Sequence, residues 1–184
     1  MNSHELDSQS LALIDHTVVS VAAPSIRLFN RIKDTISVLE SFKVPCEVSI
    51  VAAHRAPNKT LGYIADLEKK EIEVVIACGC GAAHLPGMIA SLTTIPVIGI
   101  PLESNFLLGL DSITSILQMP DGVPVATIGI NNPQNAAILA CQILGLKYPF
   151  LREKVKTYKK ELEMAVEKED KSIHENYSGQ HFDS

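Results

Sequence analysis

Two short stretches hold the side chains best suited to chemistry. The first is Ala52-Ala53-His54-Arg55-Ala56-Pro57, where an imidazole and a guanidinium stand side by side. Histidine exchanges protons near neutral pH, and arginine suits a carboxylate or a phosphate. A surface His–Arg pair is equally compatible with a structural role. The second stretch is Gly79-Cys80-Gly81-Ala82-Ala83-His84-Leu85-Pro86-Gly87-Met88. Its small residues let a ligand approach the backbone closely, and amide N–H groups at a helix start can hold an anion. The same composition also suits a tight strand–helix packing joint. Cys78-x-Cys80 lacks the usual spacing of a zinc site and no second pair follows it, so no metal is expected. Asp111 and Ser112, in Pro101 to Ser112, read as helix-associated polar residues, and the turn Gln118 to Pro124 as structural, its path set by two prolines.

These stretches need elements to position them, and the apolar pattern supplies short β-rich runs alternating with helical ones. A first strand falls within Leu11 to Ala23, centred on Val18, Val19 and Val21. Ser25 is placed to cap a helix carrying Ile26, Phe29, Ile32, Ile36, Leu39 and Phe42 at a 3.6-residue period. A strand through Val48–Val51 precedes a helix from Pro57 to Lys70, with proline in its first turn. Glu73–Cys78, Pro96–Ile100 and Val123–Ile128 read as three further strands, with helices near Leu85–Ser91, Leu108–Gln118 and Gln134–Leu144. Such alternation implies right-handed crossovers and a five-stranded parallel sheet buried on both faces. The expected fold class is α/β, a flavodoxin-like three-layer α/β/α sandwich with an appended C-terminal helix. Ligands in such folds gather at the carboxyl ends of the strands, where both reactive stretches lie.

The chain divides into an N-terminal tail (1–12), the α/β domain (13–148), a C-terminal oligomerisation helix (149–170) and a tail expected to lack order (171–184). The helix is charge-laced with one apolar stripe, Leu151, Val155, Tyr158, Leu162 and Val166, which must be buried on its own domain or on a neighbouring subunit. At 184 residues, 46% hydrophobic and 20% charged, the composition is that of an ordinary globular domain, which needs no disulfide or metal to hold its core. Cys46, Cys78, Cys80 and Cys141 sit in apolar segments and read as reduced core thiols. No apolar run approaches the ~18 residues of a membrane span, and the start lacks the basic and apolar regions of a signal peptide, so the expected compartment is cytoplasmic. A net charge of −5, with 5% aromatics and no Trp, argues against a nucleic-acid face.

The ordered strings Ala53-His54-Arg55-Ala56-Pro57, Gly81-Ala82-Ala83-His84-Leu85-Pro86-Gly87-Met88, and Leu108-Gly109-Leu110-Asp111-Ser112 followed by Ser115-Ile116-Leu117-Gln118-Met119-Pro120 carry a resemblance. Val123-Pro124-Val125-Ala126-Thr127 and Asn135-Ala136-Ala137 continue it. Over roughly Val18 to Leu146 the chain resembles the bacterial-type (class I) phosphoribosylaminoimidazole carboxylase catalytic subunits, also described as 5-(carboxyamino)imidazole ribonucleotide mutases, the PurE family. The resemblance implies an enzyme of purine biosynthesis that shuttles carbon dioxide without cofactor or metal. The substrate carbamate loses carbon dioxide inside a closed site, carbon 4 of the imidazole attacks it, and a histidine moves the proton. Carried over residue by residue, His54 and His84 are the catalytic pair, with His54 the acid/base. Ser25, Arg27, Ala52, Arg55, Gly79, Gly81, Ala82 and Leu85 bind substrate. A small ribonucleotide and further copies of the chain, as a homo-octamer, are the implied partners, with no role for nucleic acid or membrane.

The sequence departs from the family pattern at the substrate rim. The first-strand turn of the family reads Gly-Ser-x-Ser-Asp; here Pro24-Ser25-Ile26-Arg27-Leu28 keeps only Ser25. Ala52 stands where Ser is common, Cys78 and Cys80 where the family has Gly, and Asp121 where Arg is common. The Asn131-Asn132-Pro133-Gln134 turn is about two residues short. Two alternatives stay open beside the mutase: a relative on the same scaffold acting on a different small substrate, and a non-catalytic oligomeric binding protein.

Overall fold

The computed structural model describes residues 14–104 and 107–177, so the expected N-terminal tail lies outside the described residues. The strands are β1 (Val19–Ala23), β2 (Cys46–Ile50), β3 (Val74–Cys80), β4 (Val97–Leu102) and β5 (Ala126–Thr127). The helices are α1 (Ile26–Phe29), α2 (Asp34–Ser41), α3 (Pro57–Lys69), α4 (His84–Ala90), α5 (Leu110–Leu117), α6 (Pro133–Leu144) and α7 (Pro149–Tyr177). All strand pairs are parallel, in the order β2-β1-β3-β4-β5. This is the flavodoxin-like arrangement, and its strand order reverses between β1 and β3.

Alternation along the strands builds two cores. Val19, Val21, Val74, Ile76, Ile98 and Ile100 point to one face, under α2 and α6, with Leu39, Ala137 and Leu144. Ala22, Val75, Ala77 and Val97 point to the other, against Ile64 and Leu67 of α3 and Leu85 and Ile89 of α4. No helix among the described residues is long and apolar enough to cross a membrane.

Several boundaries differ from the sequence reading, each for a physical reason. The single helix expected from Ile26 to Phe42 is broken at Asn30–Lys33. There the guanidinium of Arg31 donates to the Glu103 carbonyl (2.9 Å) and to Asn131 Oδ1 (2.8 Å), drawing the chain toward the sheet's carboxyl edge. The third strand runs on through Gly79 and Cys80, because these pair with Pro101 and Leu102 of β4. The fifth is only Ala126–Thr127: Pro124 has no N–H to give to a ladder, so the edge strand starts late.

The thiols also divide. Cys78 and Cys141 are buried, and burial pushes both up to about 12. Cys46 is half-buried and burial raises it too. Cys80, also half-buried, packs against the core at the end of β3 and donates weakly to the Glu103 carbonyl at 3.5 Å.

Helix α7 continues to Tyr177, beyond the expected end at Asp170 and into the segment expected to lack order. A helix already formed extends without a new nucleation step, and Lys171, Ser172, Ile173 and Glu175 all tolerate it. Leu151 and Val155 are buried on the chain's own domain, whereas Leu162 and Val166 are 51% and 65% exposed. The apolar stripe is therefore partnered within the chain only over its first turns.

Candidate active site

The loops after β1, β2 and β3 meet at the point where strand order reverses. They enclose an open cleft of about 400 Å³ lined by Pro24, Leu28, Ala52, Ala53, His54, Arg55, Gly79, Cys80, Ala82, Ala83, His84 and Leu85. A larger groove, about 610 Å³, lies between the end of α2 and α7 but holds no histidine. The smaller cleft carries the imidazoles, and chemistry rather than volume decides between the two.

His54 sits on a tight turn in which the Ala52 carbonyl accepts from both the Arg55 and Ala56 amides. His84 opens α4. The two rings meet edge to face, centroids 4.9 Å apart and planes at 89°. Both imidazoles are exposed at the rim, free to reach a bound molecule. Arg55 donates to the Pro24 carbonyl at 2.6 Å, bridging the first and second loops.

The third loop is set by backbone geometry. Gly81 has φ +67° and Ala83 φ +36°, so the chain passes twice through left-handed conformations before α4 begins. For Ala83, with its Cβ, this costs of order 1 kcal/mol. Gly79 has to be glycine, since a Cβ there would come within 2.6 Å of Ala83 Cα. The strain is held by α5. The fully buried Ser112 hydroxyl donates to the Leu102 carbonyl (2.6 Å) and accepts from the Gly81 amide (2.8 Å). Ser115 donates to the Ala82 carbonyl, and Ser104 donates to Asp111 Oδ1 at 2.8 Å.

Of the residues singled out from sequence, His54, His84, Ala52, Arg55, Gly79, Ala82 and Leu85 line this one cleft. Ser25, Arg27 and Gly81 do not. The Ser25 hydroxyl accepts from the Leu28 amide (3.3 Å) as the cap of α1, and Arg27 is exposed on that helix. Gly81 holds the bend behind the cleft. Pro24, Leu28, Ala53 and Cys80 also line the cleft without having been named as binding residues from sequence, and Ser112 was missed as a brace. A signal for Ser112 existed: it lies four residues before the buried Ile116, on the same helix face, where a polar group must find partners. Ser112→Ala strands one amide and one carbonyl in the interior, so stability should fall by about 1–3 kcal/mol. Urea denaturation checks this, and an unchanged midpoint would refute the bracing role.

Comparison with known proteins identifies the chain's relatives. Residues 18–165 match the family model described as AIR carboxylase. The N5-carboxyaminoimidazole ribonucleotide mutase of Pyrococcus horikoshii is 51% identical over 143 residues, covering 78% of this chain and 81% of that one. The enzyme of the same name from Thermotoga maritima is 52% identical over 134 residues, covering 73% and 78%. The phosphoribosylaminoimidazole carboxylase of Schizosaccharomyces pombe is 44% identical over 159 residues, which span 86% of this chain but 29% of that larger protein. For the fold, the crystal structure of Treponema denticola PurE superposes with a TM-score of 0.79 at 23% identity, covering 86% of this chain and 99% of that one. With the family model spanning most of its length and relatives at half identity, the chain belongs to the AIR carboxylase family.

Proposed function

We propose that the chain is a 5-(carboxyamino)imidazole ribonucleotide mutase, or aminoimidazole ribonucleotide carboxylase, of purine biosynthesis. The observation that carries this reading is the His54–His84 pair on the rim of the β1–β3 cleft, in a chain half identical to enzymes named for that reaction. In the mutase reaction the carbamate N–C bond breaks and releases carbon dioxide, which the small-residue wall of Gly79, Ala82 and Ala83 leaves room to retain. Carbon 4 of the imidazole then forms the new C–C bond. His54 takes the proton from carbon 4 and returns one to the exocyclic nitrogen, so the isomerisation balances. A histidine serves here because its ordinary pKa lies near neutrality.

Arg55, with Ser25 and Arg27 beside the first loop, is assigned to the ribotide phosphate. Gly81 and Leu85 shape the turn that frames the imidazole. The reaction calls for no cofactor. The cleft is open in the single chain, and exclusion of water requires a cover. A neighbouring subunit in a homo-octamer of the family type supplies it, in the cytoplasm where purine synthesis is expected. The test is incubation with the carbamate ribotide, following the 4-carboxylated isomer. Turnover supports the reading, and none at saturating substrate overturns it.

A specific observation favours one alternative, a different small heteroaromatic or carboxylated substrate. The Ser25 hydroxyl is engaged as a helix cap, Arg55 is bonded to Pro24, and Leu28 offers an apolar wall. Binding of an unphosphorylated imidazole carboxylate more tightly than the ribotide would decide for it.

A further inference from the structure

Helix α7 leaves the domain with an unpartnered apolar face and an unusual distribution of charge. From residue 149 to 160 it carries five basic residues against one acid; from 161 to 177 it carries six acids against two lysines. The same helix thus has a root with four surplus positive charges and a projecting half with four surplus negative ones, His counted neutral. The projecting half is about 25 Å long at 1.5 Å per residue. Leu162, Val166 and Ile173, on one side of it, are 51%, 65% and 59% exposed. Beside the root lies the 610 Å³ groove, walled by Phe42, Phe150 and Tyr158, with the Phe42 and Tyr158 rings in edge-to-face contact at 5.8 Å. Phe150, Lys154, Tyr158, Leu162 and Val166 follow one another at i+4, a single ridge running from the groove onto the projecting half. Such a ridge fits the i±3 grooves of a neighbouring helix that lies at only about 20° to it, so contact continues along both helices.

We propose that two copies of the chain pair their α7 helices antiparallel, each projecting half lying over the other's aromatic groove. Charge selects both partner and direction. A parallel pair would set like charge against like along its whole length, whereas an antiparallel pair sets each basic root against an acidic projecting half. One helix carries both sides of the match, so the occupant of the groove is a second copy. The boundary between the halves, at Lys160–Glu161, then lies at the two-fold axis. This goes beyond the octamer reading, which fixes a number of copies and not this contact, and its readouts are independent of turnover.

The test uses two full-length variants with all changes at exposed sites. One reverses the root (Lys156→Glu, Lys159→Glu, Lys160→Glu) and the other the projecting half (Glu163→Lys, Glu167→Lys, Glu169→Lys). Analytical ultracentrifugation at low salt should show α7-dependent association weakened at least about tenfold in each alone, from the loss of several ion pairs. An equimolar mixture should restore it, because the two variants complement each other. Undiminished association of either variant alone, or no recovery on mixing, overturns the proposal. Independently, Leu162→Cys should form an intermolecular disulfide under mild oxidation, while Met164→Cys, on the opposite side of α7, and the unsubstituted chain should not. Cross-linking through residue 164 and not 162 would also overturn it.

Discussion

His54→Asn should lower turnover of the carbamate ribotide by about 10²–10⁴-fold, the usual cost of removing a general acid–base group. Asparagine keeps a similar size and hydrogen-bonding capacity but has no proton to exchange near neutrality. The residue is exposed on the β2 turn, and that turn is held by backbone bonds to the Ala52 carbonyl. The substitution should therefore leave the fold and the denaturation midpoint unchanged, and the loss should fall on kcat rather than KM. His84→Asn provides the comparison. Its ring meets His54 edge to face, so it should perturb the proton-transfer step through orientation and cost less. Near wild-type turnover in His54→Asn removes the residue from the mechanism.

Much of this site was legible because the fold converts strand ends into neighbours. His54 and His84 are thirty positions apart in sequence, but each follows a strand in a parallel sheet, and the crossover rule brings all such turns to one edge. What escaped was set by contacts distant in sequence. Nothing local marks the break after α1. Arg31 makes it by reaching Glu103 and Asn131, and apolar spacing from Phe29 to Leu39 suits one helix as well as two. Gly79 and Cys80 carry a turn-like composition, yet their pairing with β4 keeps them in the sheet and turns Cys80 into a wall of the cleft. Arg27 was set beside the cleft by its place in the first loop. One residue of helix is a 100° rotation, which leaves Leu28 on the cleft and Arg27 in solvent. On α7 the charged, periodic pattern was plain to Asp170. The following turns stay helical although only Ile173 continues the stripe there, because propagation is easy once a helix exists.

That 100° rotation leads to the second large effect, on ligand affinity. Leu28 stands on the cleft wall, at the position where the sequence resemblance implies an aspartate, and its side chain accepts no hydrogen bond from a ribose hydroxyl. Leu28→Asp combined with Arg27→Ser supplies the acceptor and the serine that the resemblance implies at these positions. A hydrogen bond to a charged acceptor contributes about 1–3 kcal/mol, which corresponds to roughly 5- to 150-fold in Kd. The helix should accept the change, because aspartate three residues after the Ser25 cap can reach back to the cap amide and also favours the positive end of α1. Isothermal titration with the aminoimidazole ribotide should therefore show tighter binding with stability undiminished. If the double variant binds no more tightly while remaining folded, the first loop does not contact ribose in this chain. Recognition then rests on Arg55 and the β3 loop, and the preference for a ligand without phosphate gains ground. If Leu28→Asp alone tightens binding and adding Arg27→Ser reverses the gain, Arg27 reaches the phosphate from its exposed position. That outcome would show a phosphate grip built on an arginine of the first loop.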